Sequence, residues 1–174
     1  DHVVFYDVLD GAYGENEYVK GTFDSIDTSY LTDNLGIRPT IYYSTKSDIN
    51  LSTDTDLTKQ NVWSVDAPTD KTKVTTVAVD LGNYVFSGQD RDLPMVYVNM
   101  IGSNNYTKEN LYAYNNVLVK YNDLYDGNTK TSTSSTTSVK LEKALVDLDL
   151  KVKQDINGGT LVSGTESAPA KVDL

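Results

Sequence analysis

Val74-Thr-Thr-Val-Ala-Val-Asp-Leu81 is the strongest β run in the chain. It is dense in β-branched residues, too short for a typical helix, and followed by glycine at Gly82. That composition predicts a strand. Other segments of the same kind flank it. Val3-Val-Phe-Tyr6 with Val8-Leu9 predicts a strand ending at the Asp10-Gly11 turn signal. Tyr18 to Ile26, Thr40 to Ser44, Met95 to Ile101 and Asn115 to Tyr121 add further strands, with shorter ones at Val62-Trp63 and Tyr84 to Phe86.

Turn-separated strands at such intervals predict an all-β, immunoglobulin-like or related Greek-key β-sandwich over residues 1–125. Its expected core comprises Val4, Phe5, Leu9, Phe23, Ile41, Trp63, Val77, Val79, Val85, Val96, Val98, Val117 and Val119. Two short helix candidates stand out: Tyr30 to Leu35 behind a Ser29 cap, and the Thr-rich stretch Leu51 to Lys59, whose composition suits a helix poorly.

Residues 126–138 carry Thr129-Lys-Thr-Ser-Thr-Ser-Ser-Thr-Thr-Ser138 and no large apolar side chain, as expected of a linker or an exposed edge segment. Residues 139–174 alternate again and hold the hairpin signal Asn157-Gly-Gly159. This β-rich tail either completes the fold before it or opens a following repeat. A lone hairpin is marginal in water, so it should pair with something.

Composition excludes several function classes. With 15 Lys and Arg against 25 Asp and Glu, the formal charge is −10, which repels phosphate backbones and argues against nucleic-acid binding. No run approaches the length of a membrane span, so no direct membrane insertion is expected. The absence of cysteine removes disulfides and thiol chemistry. The only histidine is His2, and neither a Gly-x-Ser-x-Gly elbow nor a phosphate loop occurs, so an enzyme is not expected.

Several segments together, Asp1 to Asp10, Lys20-Gly-Thr-Phe23, Arg38-Pro-Thr-Ile-Tyr-Tyr-Ser-Thr45, Val77 to Leu81 and Ala113-Tyr-Asn-Asn-Val117, resemble the β-sandwich repeats of large Gram-positive cell-wall-anchored adhesins and isopeptide-forming fimbrial proteins of Firmicutes. Leu148-Asp-Leu-Lys-Val-Lys153 and Ala168-Pro-Ala-Lys-Val172 resemble the opening of a next repeat. The resemblance implies a piece of a longer extracellular protein, anchored to the cell wall through regions outside it and acting as a stalk repeat or adhesin domain. Its implied partners are a host or bacterial surface protein or glycan, and neighbouring repeats of the same polypeptide. The competing expectation is a carbohydrate-binding or accessory module of a secreted carbohydrate-active enzyme.

Three sets of residues are candidates for chemistry. The resemblance implies that a lysine could join an asparagine in an isopeptide bond, for which Lys20, Asn115, Asn116, Lys151 and Lys153 are the residues available; the expectation is that these lysines solvate strand edges and that no such bond forms. Calcium is the candidate cofactor, because Asp54 with Asp56 and Asp90 with Asp92 place carboxylates one residue apart, as do Asp147 and Asp149. Calcium needs six or more oxygens, so each pair is under-supplied and a solvated face is expected. Thirteen tyrosines against three phenylalanines favour half-buried faces and contact surfaces. Tyr42 and Tyr43 should lie on opposite faces of one strand, and Tyr112 and Tyr114 on one face of another, as candidates for a ligand surface.

Overall fold

The structure, a computed structural model, describes residues 2–9, 21–85, 94–102, 112–140, 145–148 and 170–173. The chain forms two compact units, Asp1–Lys140 and Leu141–Leu174. The fold is all-β and antiparallel, the class expected from the strand pattern.

In the first unit the strands are β1 (Val3–Val8), β2 (Gly21–Asp27), β3 (Thr40–Ser44), β4 (Thr76–Asp80), β5 (Tyr97–Gly102), β6 (Tyr112–Asn115), β7 (Val117–Asn122), β8 (Thr129–Thr133) and β9 (Thr137–Lys140). Among the described residues, a helix, α1 (Ser29–Leu35), and a 3-10 turn, Lys71–Lys73, interrupt them. A five-stranded sheet runs in the order β3-β4-β1-β7-β8, while β2 pairs with β5 and β6 with β9.

The register explains why Val74 to Leu81 reads as such a dense apolar run. Across the sheet, Ile41, Val79, Phe5 and Val119 stand in one row, and Tyr42, Ala78, Tyr6 and Leu118 in the next. Cross-strand partners share a face, so successive rows point to opposite sides. One side is covered by β2, β5 and α1: Phe23, Val74 and Val77 pack with Val98, and Val3, Leu31, Val79 and Leu81 with Val96. The other side is covered by the β3–β4 connection, where Val62 and Trp63 pack on Val4, Tyr6 and Ala78. With both faces covered, β4 is buried from Thr76 to Val79 and needs apolar or small residues at every position.

The long β3–β4 connection replaces the second expected helix. Leu51 to Lys59 forms turns, with both Thr53 and Asp54 donating backbone N–H to the Asn50 carbonyl. It is pinned to the sheet by Trp63 Nε1, which donates to the Asp54 carbonyl at 2.7 Å, and by the Tyr6 hydroxyl, which donates to that of Thr55 at 2.8 Å. Buried indole and phenol groups need such partners.

The first helix forms where expected, but Ser29 does not cap it. Ser29 is the first helical residue, and the Asp27 carboxylate accepts its N–H at 2.8 Å. The helix buries Leu31 completely and ends at Gly36, whose φ of 66° lies in the left-handed region that other residues enter at a cost.

Among the expected core residues, Val4, Phe23, Trp63, Val77 and Val79 are fully buried, and Phe5, Leu9, Ile41, Val96, Val98, Val117 and Val119 partly so. Val85 is a correction: it is 44% exposed, because it lies past the end of β4, outside the layer that covers Leu81.

The Ser/Thr-rich segment is strand rather than linker. Thr129–Thr133 forms β8 at the sheet edge and Thr137–Lys140 forms β9. The pairing steps from Leu118↔Thr133 to Asn115↔Thr137, so residues 116 and 117 face three residues, 134–136, in a bulge. There the Ser134 hydroxyl accepts the Val117 N–H at 2.9 Å. The first unit therefore extends to Lys140, past the expected boundary at 125, because β8 and β9 are ladder partners of β7 and β6. In the second unit, β10 (Leu145–Leu148) and β11 (Ala170–Asp173) pair antiparallel.

Candidate functional site

Asp7 is the most unusual side chain of the sandwich. On β1 it follows Val3 and Phe5 on the inner face, in a row with Tyr43, Val77 and Val117. It is 9% exposed and forms part of the wall of a cavity of about 220 Å³ between the sheet and the β5 layer. The other lining residues, Phe5, Val77, Val79, Pro94, Val96, Val98 and Val117, are apolar. Asn115 Nδ2 donates to Asp7 Oδ2 at 3.3 Å, while Oδ1 has no hydrogen-bond partner among the described residues. Burial raises the carboxyl's pKa above its ordinary value, more than the Asn115 contact lowers it. The neutral acid is the form this environment favours.

This geometry bears on the isopeptide candidates. Asn115 is held beside a buried carboxyl, two of the three groups such a link requires. Asn116 is exposed in the bulge. Lys20, Lys151 and Lys153 lie outside the described residues.

The acidic pairs of the calcium reading fare differently. Asp54 is buried, and its Oδ2 accepts from Lys46 Nζ at 2.7 Å and from the Asn50 N–H at 3.0 Å. These contacts, the Asn50 amide first, hold its pKa below the usual carboxylate range. Asp56 Oδ1 accepts from both the hydroxyl and the N–H of Thr58, at 2.6 and 3.0 Å. Both carboxylates thus work as local turn staples. No group of three or more metal-ligating side chains occurs among the described residues. Asp90, Asp92 and Asp149 lie outside them, and Asp147 lies on β10 opposite Lys171.

Tyr42 and Tyr43 point to opposite faces, as alternation requires, and both are spent on packing. Tyr42 joins the Trp63 cluster, and Tyr43 meets Phe23 edge to face with ring centres 5.8 Å apart. Tyr112 and Tyr114 share a face of β6, half-buried and stacked at 6.0 Å.

A second concavity lies at the end of the five-stranded sheet. It has a volume of about 410 Å³ and is lined by His2, Asn83, Asn122, Asp123, Leu124 and Gly127. His2 Nε2 sits 3.0 Å from Asp80 Oδ2. Asp123 and Asp126 both pair with Lys130, the latter at 3.0 Å, and push its ammonium pKa up.

Sequence reasoning missed Asp7 and this end of the sheet. Alternation along Val3-Val-Phe-Tyr-Asp7 does place Asp7 on the Phe5 face, and that was a usable signal. The concavity had none, since its residues come from separate loops. No family model, curated protein or solved structure matches the chain.

Proposed function

We propose that this chain is a non-enzymatic module of an extracellular bacterial surface protein, serving as a stalk repeat or adhesive domain. The observation that carries the reading is the succession of two strand-built units, Asp1–Lys140 and Leu141–Leu174, in an acidic chain without cysteine. The sandwich architecture recurs in many cell-surface domains. The resemblance of its strand segments to Gram-positive adhesin repeats points the same way. The only histidine is paired with Asp80, and the carboxylates of Asp54 and Asp56 are engaged in turns, which favours a structural role for them over a hydrolytic one.

Protease shaving of intact cells that produce the protein tests the reading. Peptides from residues 1–140 should be released without cell lysis. Their appearance only after lysis would overturn the proposal.

A further inference from the structure

We infer that the concavity at the end of the five-stranded sheet binds a neutral sugar. It is formed where the start of β1, the segment after β4 and the β7–β8 turn converge, an end of a sandwich where loops gather. Its volume of about 410 Å³ falls in the range of small-ligand sites and exceeds what one pyranose ring fills.

The lining offers hydrogen-bonding groups suited to hydroxyls, which both donate and accept. Asn83 and Asn122 each carry an amide with both functions. Asn122 Oδ1 accepts from the Thr129 hydroxyl at 2.8 Å, which orients its NH2 group. His2 is held by Asp80, whose other oxygen accepts the Gly82 N–H at 2.7 Å. Asp123 adds a carboxylate whose position is set by Lys130 and by the Tyr125 N–H at 2.8 Å.

The β7–β8 turn supplies the apolar half of the argument. It is closed by Asp123 N–H to the Asn128 carbonyl and by Gly127 N–H to that of Asp123, with Gly127 at a φ of 71°. This well-bonded turn nevertheless presents two adjacent apolar side chains: Leu124 is 60% and Tyr125 100% exposed. Leu124 lines the concavity, and the ring of the next residue, Tyr125, is free to serve as a flat platform for the C–H face of a sugar bound there. Charge selects the class of sugar. Asp80, Asp123 and Asp126 outnumber Lys130 here, on a chain of net charge −10, so a carboxylated or phosphorylated glycan is repelled.

The inference deepens the adhesive form of the surface-module reading, and the two can fail separately. A chain shaved from intact cells that binds no sugar leaves a stalk; a chain that binds sugar but is released only by lysis leaves a lectin elsewhere.

Amide NMR titration of the full chain tests it, with galactose, mannose, glucose and N-acetylglucosamine as separate probes and N-acetylneuraminic acid as the anionic comparison. At least one neutral probe should give saturable shifts centred on His2, Asn83 and Asn122 to Gly127. Tyr125→Ala, at a fully exposed position, should leave the melting temperature unchanged and weaken that binding about tenfold or more. Asn83→Ala should weaken it as well. Silence with every neutral probe, shifts centred elsewhere, equal binding of the anionic sugar, or full binding by Tyr125→Ala would each overturn the inference.

Discussion

Asp7 sets the residue-scale chemistry of the sandwich. Its carboxyl is buried among valines with one oxygen unpartnered among the described residues, and its pKa in the folded chain is raised by burial. A raised folded pKa means that the contribution to stability is fully present below the unfolded value, about 4, and is lost as pH rises through the folded value. The lowered carboxylates Asp27, Asp54, Asp56, Asp70, Asp123 and Asp126 have the opposite sign, losing stability as pH falls. They are common to wild type and variant, so the difference between the two isolates Asp7. Asp7→Asn keeps the shape and removes the ionisation. It should stabilise the protein by about 1–3 kcal/mol near pH 7, with most of that gain gone near pH 3, as read from urea denaturation at the two pH values. A variant less stable than wild type near pH 7 would contradict this account. Asn115 has a prediction of its own. Its amide is engaged by the Asp7 carboxyl, and the expectation that no isopeptide forms predicts that intact-mass measurement returns the sequence mass. A deficit of ~17 Da would instead show an amide formed with loss of ammonia.

Among the elements, the β3–β4 connection departs most from what its sequence suggests. Its stability rests on buried donors reaching backbone carbonyls, above all Trp63 Nε1 to Asp54. Trp63→Phe should cost about 1–3 kcal/mol in urea denaturation, since a buried carbonyl loses its donor. Leaving stability unchanged would show that the loop is held otherwise. Because Asp54 and Asp56 are already engaged, millimolar calcium should barely move the melting temperature; a rise of about 10 °C would contradict that and return attention to the acidic pairs. These elements also show what a sequence can disclose. β4 was legible because burial on both faces demands apolar character at consecutive positions, which is a local signal. The turns of Leu51 to Lys59 were not, because their anchor, Trp63, is brought in by tertiary packing. β8 was legible only as one of two alternatives, a linker or an exposed edge segment, because its ladder is made by the backbone and an edge strand with exposed side chains needs no apolar residues. Val85 failed in the reverse sense, as an apolar residue whose expected cover is absent among the described residues. Of the site, Asp7 was readable from alternation, whereas Asn83, Asn122 and Asp123 meet only through strand order.

Residues 1–140 form one compact unit that includes the Ser/Thr-rich strands, and residues 141–174 form a second. Two-faced burial of the central sheet supplies the stability of the first unit, and β8 and β9 extend its ladder without adding to the apolar core. Calorimetry on three chains, residues 1–174, 1–140 and 1–126, tests this most directly. The 1–140 chain should keep the main unfolding transition of the full chain at the same temperature. Cutting at 126 removes β8 and β9, leaves the β7 edge bare, and should lower that transition by several degrees or abolish it. If 1–126 melted like the full chain, or if 1–140 failed to fold, the sandwich would not end where its strand pairing places it.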